Sequence, residues 1–325
     1  MNTYPRFFII AGLVWSLAMW GAGPEDVLAQ PDPEAAYEEA PRDDAQAAQW
    51  YQKAAERGNP GAQFNLGLMY YKGEGVPRNQ AQAAQWFQRA ADQGHPEAQC
   101  NLGHLYENGE GVPRNQALAV QWYQRAAEQG NLQAQFNLGL MYYNGEGVPR
   151  NQAQAAQWFQ RAADQGHPEA QCNLGLMYKN GEGMPRNQAL AVQWFRRAVD
   201  QGHPGAQYNL GLMYKNGEGV PRDQALAAQW LQKAADRGDP GAQLVLGVMH
   251  YDGEGVTQNY ALAAQWFQKA ADQGNPQAQF DLGLMYESGE GVPRDQALAA
   301  QWFQKAAGQG DQEAQEKLKE IGLNW

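Results

Sequence analysis

Between Pro41 and Ile321 the apolar side chains follow two alternating schedules. From Gln80 to Asp92 they fall at Ala83, Trp86, Phe87, Ala90 and Ala91. These three- and four-residue steps lay a single apolar face along a helix. After Gly94 and Pro96 the apolar positions resume at Ala98, Leu102 and Tyr106, which predicts a second helix. Asn79 is a good cap for the first helix, with Pro77 just outside it. Gly94 stands where that helix needs a left-handed residue to stop. The second helix ends at Gly109-Glu110-Gly111, and Pro113 forbids its continuation. No stretch alternates with period two, so no sheet is expected.

The same pair of helices is then copied. Trp50, Trp86, Trp122, Trp158, Trp194, Trp230, Trp266 and Trp302 stand 36 residues apart. A fixed period of this size marks a stacked architecture. The expected fold is all-α, an α/α solenoid (superhelix) of about eight tandem 36-residue helix-turn-helix repeats. Gly67, Gly103, Gly139, Gly175, Gly211, Gly247 and Gly283 recur inside the second helix of each copy. Glycine there costs about 1 kcal/mol against alanine, which implies a close helix-helix approach. At the C-terminal end the matching position is Lys319, so that segment reads as a solvating cap. The expected organisation is a signal peptide over 1–29, an acidic proline-containing linker over 30–40, the solenoid over 41–321 and a short tail over 322–325.

The run Ala98-Gln-x-x-Leu-Gly-x-x-Tyr106, with Gly109, Gly111 and Val112, and the run Ala83-x-x-Trp-Phe-x-x-Ala-Ala-x-x-Gly94 closely resemble the Sel-1-like repeat family. This family is related to the tetratricopeptide repeats, and the resemblance covers about Pro41 to Ile321. It implies a right-handed superhelix of antiparallel helix pairs whose first helices line the concave face. It also implies work as an adaptor, often in a secretory pathway or a bacterial envelope.

Composition narrows the partners. The formal charge is -11 and the pI near 5.0, and phosphate binding needs a net basic face, so no nucleic-acid partner is expected. Arg6 precedes an uncharged apolar run from Phe7 to Trp20, the order of a secretory signal and too short to span a bilayer. Cleavage after Ala29 is favoured over Ala18 or Ala22. The mature chain is then exported, periplasmic or secreted, with no membrane span; an uncleaved N-terminal anchor is the alternative.

Catalysis needs residues that occur once, and few do. Ser288 stands where other copies have Asn108 or Asn144, and no lysine lies three residues on. Cys100 and Cys172 occupy a slot filled elsewhere by Phe64 or Phe136, so they read as buried thiols, two repeats apart and unable to pair. His95, His167 and His203 precede prolines as exposed turn residues, and His104 and His250 are four repeats apart. No metal site, cofactor or enzyme is expected. The Gly-Glu-Gly loops lack the strand and the Gly-Lys-Ser of a nucleotide site. Their glutamates, such as Glu74 and Glu110, are expected to pair with Arg78 and Arg114, which leaves Glu254 without its local partner because Gln258 replaces the arginine.

Two features point to binding. The leading helices carry a ladder of amides, Gln85, Gln121, Gln157 and Gln193, beside cations, Arg89, Arg125, Arg161 and Arg197. Such a ladder suits an extended acidic peptide or a glycan; otherwise each cation meets an acid three positions on, as Arg89 would meet Asp92. Departures from the repeat also cluster between Leu244 and Tyr260, with His250, Tyr251 and Tyr260 as a candidate hot spot. The expected function is a non-catalytic adaptor for protein partners. Cell-wall glycan (peptidoglycan) binding is the alternative, and a cell-wall or β-lactam hydrolase comes third.

Overall fold

The structure is a computed structural model that describes residues 43–323. The expected signal peptide, the whole of the expected linker, Pro41, Arg42 and the last two residues lie outside the described residues. Sixteen helices run from Asp44 to Glu320, and no strand occurs among the described residues. The first helices of the pairs are α1 (Asp44–Glu56), α3 (Gln80–Asp92), α5 (Gln116–Glu128), α7 (Gln152–Asp164), α9 (Gln188–Asp200), α11 (Gln224–Asp236), α13 (Tyr260–Asp272) and α15 (Gln296–Gly308). The second helices are α2 (Pro60–Lys72), α4 (Pro96–Asn108), α6 (Leu132–Asn144), α8 (Pro168–Asn180), α10 (Pro204–Asn216), α12 (Pro240–Asp252), α14 (Pro276–Ser288) and α16 (Gln312–Glu320).

Local chemistry sets these boundaries. The Asn79 side chain accepts the Gln82 N–H at 3.0 Å and caps α3. Proline follows the cap of α4 at a position whose N–H would have no helical acceptor. Gly109 closes α4 at φ 75°, and its N–H returns to the Leu105 carbonyl at 2.8 Å. Gly111, at φ 69°, lies so close to the backbone of Gln80 that a Cβ would stand 2.2 Å from its carbonyl oxygen. The Gly-Glu-Gly loop therefore packs backbone to backbone on the first turn of α3.

Each second helix from α2 to α14 meets the first helix of the next repeat through its internal glycine. A Cβ at Gly67 would lie 2.7 Å from the Phe87 ring. Gly103 and Tyr123, Gly139 and Phe159, Gly175 and Phe195, Gly247 and Phe267, and Gly283 and Phe303 repeat this at 2.5–2.8 Å, and Leu231 takes the ring's place against Gly211. The glycine thus seats a side chain twenty residues on, rather than bringing two backbones together.

A buried amide accompanies each seat. Gln63, Gln99, Gln135, Gln171, Gln243 and Gln279 are each 4% exposed. Their Nε2 atoms donate to the carbonyls of Ala55, Ala91, Ala127, Ala163, Ala235 and Ala271 at 3.0–3.1 Å. Their Oε1 atoms accept from Gln93, Gln129, Gln165, Gln201, Gln273 and Gln309 in the next repeat at 2.7–2.9 Å. Burying an amide is tolerated only when its groups are bonded, and here one bond closes the preceding helix end while the other crosses the seam.

Two outcomes test this account. Alanine at Gly175 should gain about 1 kcal/mol of helix propensity but lose about 1–3 kcal/mol to overpacking against Phe195. Gly175→Ala is therefore expected to lower the thermal midpoint seen by circular dichroism, and Gly175→Leu to lower it further. Removal of residues 115–150 places Phe159 against Gly103 and Gln165 against Gln99. That shortened chain is expected to keep its helical signal per residue, and a collapsed spectrum would contradict independent repeats.

Candidate functional site

The first helices present the ladder. Gln85, Gln121, Gln157 and Gln193 are exposed, and so, one turn on, are Arg89, Arg125, Arg161 and Arg197. The guanidinium of Arg89 lies 4.4 Å from the centre of the Trp86 ring. Arg125 on Trp122, Arg161 on Trp158 and Arg197 on Trp194 follow at 4.4–4.5 Å. Lys233, Lys269 and Lys305 continue the row on Trp230, Trp266 and Trp302 at 3.7–4.1 Å. The expected acid partner three residues on is engaged elsewhere: Asp92 accepts from Gln88, Glu128 from Gln124 and Asp164 from Gln160 at 2.8–2.9 Å. A cation held over a ring spends none of its N–H donors. The tryptophan itself is packed against the preceding repeat, as Trp86 is on Ala55, Ala62 and Leu66. Because the acids share this face, charge is near balance and the row offers hydrogen bonds rather than a strong field.

The loop glutamates differ from expectation. Glu110 accepts from the Tyr71 hydroxyl at 2.8 Å, Glu290 from Tyr251 at 2.6 Å and Glu182 from Tyr143 at 2.5 Å, each bond crossing to the next repeat. Burial and the Glu110 carboxylate push the Tyr71 phenol up to about 12, and the bond to Glu290 does the same to Tyr251. The loop arginines turn to main chain instead: Arg114 donates to the Glu107 carbonyl and Arg294 to the Glu287 carbonyl, both at 3.0 Å. Glu254, which has no arginine at the local position, lies 3.9 Å from Lys215 of the preceding repeat.

The candidate hot spot divides. Leu244, Val248 and Tyr251 are half-buried against the core, and Tyr251 repeats the bridging role of Tyr71 and Tyr143. Tyr260 is 36% exposed and meets Tyr251 edge-on at 5.0 Å, while Gln258 donates to its hydroxyl at 3.1 Å. His250 Nδ1 lies 3.4 Å from the Thr257 carbonyl. Tyr260 opens α13, and Lys269 lies nine residues later, about 13 Å along the axis. Tyr260 and Lys269 therefore lie near opposite ends of α13.

The remaining singular residues hold the fold. His95, His167 and His203 are not exposed turn residues: their Nδ1 atoms accept the N–H groups of Ala98, Ala170 and Ala206 at 3.1–3.3 Å, as Asn131 does for Ala134. His167 is buried and stacked on Phe136 at 4.5 Å, and His95 on Phe64 at 4.8 Å. Burial holds His95 and His203 below the usual histidine range. Cys100 and Cys172 are buried free thiols, pushed up to about 12 by desolvation. Ser288 Oγ donates to the Met285 carbonyl at 3.3 Å. Among the described residues no group of three or more His, Cys, Asp or Glu could hold a metal, and no helix is long and apolar enough to cross a membrane.

The profile of the Sel1 repeat family matches eight times, over residues 36–59, 60–95, 96–131, 132–167, 168–203, 204–239, 240–275 and 276–311. Among solved structures, c5321, a protective antigen of uropathogenic Escherichia coli with an SLR fold, is 41% identical with a TM-score of 0.79. The match covers 84% of this chain and 59% of that one, so the chain spans somewhat over half the length of c5321. A Sel1 repeat protein from Oxalobacter formigenes is 37% identical with a TM-score of 0.70, over 90% of this chain and 88% of that one. None of the curated proteins matches the chain.

One carboxylate stands apart from the pattern these copies share. Asp281 occupies the place of Asn65, Asn101, Asn137 and Asn173, and desolvation raises it to about 6 despite a bond from Gln277 at 3.2 Å. Its folded value lies above its unfolded one, so the fold binds the extra proton between about pH 4 and 6 and loses stability as pH rises through that window. Asp281→Asn is expected to raise the melting temperature at pH 7 by roughly 2–4 °C. The two proteins should melt together near pH 4, and a gain that persists there would contradict the assignment.

Proposed function

The chain belongs to the Sel1 repeat family, and we propose that it is an exported, non-catalytic adaptor that holds an extended protein partner across its leading helices. Proteins of this family generally mediate protein-protein interactions. One observation carries the reading here: Arg89, Arg125, Arg161 and Arg197 are stacked on tryptophans with their donors unspent, beside exposed Gln85, Gln121, Gln157 and Gln193. A row of amides and guanidinium groups at one spacing suits main-chain carbonyls and carboxylates presented at intervals along a peptide. The absence of a catalyst is supported by what the singular residues do. Ser288, Cys100, Cys172 and the capping histidines are spent on helix ends and core packing.

Export is supported by Arg6 and the apolar run Phe7 to Trp20. The description of the Escherichia coli relative as a protective antigen points the same way, because antibodies reach surface or released proteins.

The test is affinity capture with residues 30–325, offered envelope extract and, separately, purified cell-wall sacculi. A variant with Arg125, Arg161 and Arg197 changed to Glu is the control, its fold verified by circular dichroism. Capture of a defined protein by the parent and its loss from the variant is the expected outcome. Retention of the parent on sacculi with no protein captured would replace the adaptor by a glycan-binding role.

A further inference from the structure

The buried amide bond across the seam is present at Gln63, Gln99, Gln135, Gln171, Gln243 and Gln279, and Gln207 departs from this set. Gln207 is also 4% exposed, yet its Oε1 has no hydrogen-bond partner. The position thirty residues on, glutamine in those six seams, is Arg237, and its guanidinium donates to the Gly202 carbonyl in the turn before α10. The longer side chain reaches past the amide it would have served.

Two further departures fall at the same place. Val199 is the penultimate residue of α9, where other repeats have Ala91, Ala127, Ala163, Ala235 and Ala271. Val199 is buried and larger than the alanine of the other copies, and the contact between α9 and α10 is the sparsest of the six repeats between Gln80 and Ser288. Leu231, rather than a ring, then fills the seat at Gly211. Val199 alters the contact between α9 and α10, which is the sparse one, whereas the amide and the seat are altered between α10 and α11, which stay as closely packed as the corresponding helices elsewhere.

We propose that the segment from Val199 to Gln207 is a hinge, the place where the array opens first and about which its two parts articulate. In a solenoid each interface contributes separately, so a weakened one opens without unfolding its neighbours. The hinge also falls where the ladder changes chemistry. Before it, following Lys53 in the first repeat, come Arg89, Arg125, Arg161 and Arg197; after it come Lys233, Lys269 and Lys305. Arginine offers a planar fork for bidentate contacts and lysine a mobile point charge, so articulation varies the distance between two unlike halves of one face. That consequence rests on the binding proposed above, whereas the hinge itself does not.

Hydrogen exchange followed by mass spectrometry tests it. Amides from the end of α9 into the first turns of α10 are expected to exchange at least ten-fold faster than their counterparts in α7 and α8 and in α11 and α12. Val199→Ala with Arg237→Gln should slow them to match. The reciprocal change, Ala91→Val with Gln129→Arg, moves the defect to Gln99 and should speed exchange between α3 and α4. Dyes at Gln121→Cys and Gln301→Cys, placed on exposed positions while the native thiols stay buried, should report a broad distance distribution that narrows in the repaired protein. Uniform exchange along the parent, or a transplant that leaves α3 and α4 as slow as before, would overturn the hinge. Partner capture that fails while exchange behaves as expected would count against the adaptor reading alone.

Discussion

A ring seated on a helical glycine is the contact on which the rest of this structure depends. Phe195 lies where the Cβ of any other residue at 175 would have to go. Glycine in mid-helix sacrifices about 1 kcal/mol of propensity, while burying a phenylalanine returns about 1.5–3 kcal/mol. That balance favours the glycine only if the ring arrives, and the ring arrives only if the next helix sits at one height and one rotation. Fixing that rotation places Trp194 against the preceding repeat and Arg197 on its outer side. It also carries Gln201 to the buried Gln171. Packing, interior hydrogen bonding and the outward row of cations are therefore three readings of one register.

Much of this is legible in the sequence. The spacing of tryptophan set the period, Asn79 and Gly94 the ends of a helix, and the recurrence of Gly175 and its equivalents a place of close packing. What escaped was the destination of side chains that could have gone either way. Gln99 is one of many glutamines, and nothing in its neighbourhood marks it as buried, because its partner Gln129 lies in another helix. His167 looked like an exposed turn residue, although it substitutes for asparagine as a cap and adds a stacked ring. Arg89 had a carboxylate at helical distance and took the tryptophan instead, since Gln88 had already engaged Asp92. Sequence separation shows which groups can meet, and competition among them decides which do.

The candidate site shows the same division. The ladder residues were identifiable because they recur and include a full charge in every copy, and a recurring row of guanidinium and ammonium groups on a packed helix faces outward. The cluster from His250 to Tyr260 was identified because it departs from the pattern, and departure proved an uneven guide. Tyr251 is tied to Glu290 across a seam, whereas Tyr260 lies at the surface. In a protein built by copying, difference marks the places to inspect, and only packing separates an altered joint from an altered surface.

The seams also bear on how such a gene can change. Each interlocking partner lies twenty or thirty residues ahead, always inside the following copy. Misaligned crossing-over between copies adds or removes whole units without disturbing the reading frame, and each new junction finds its partners in place. Length, and with it reach, is then free to vary between generations while every joint remains of a kind already tried.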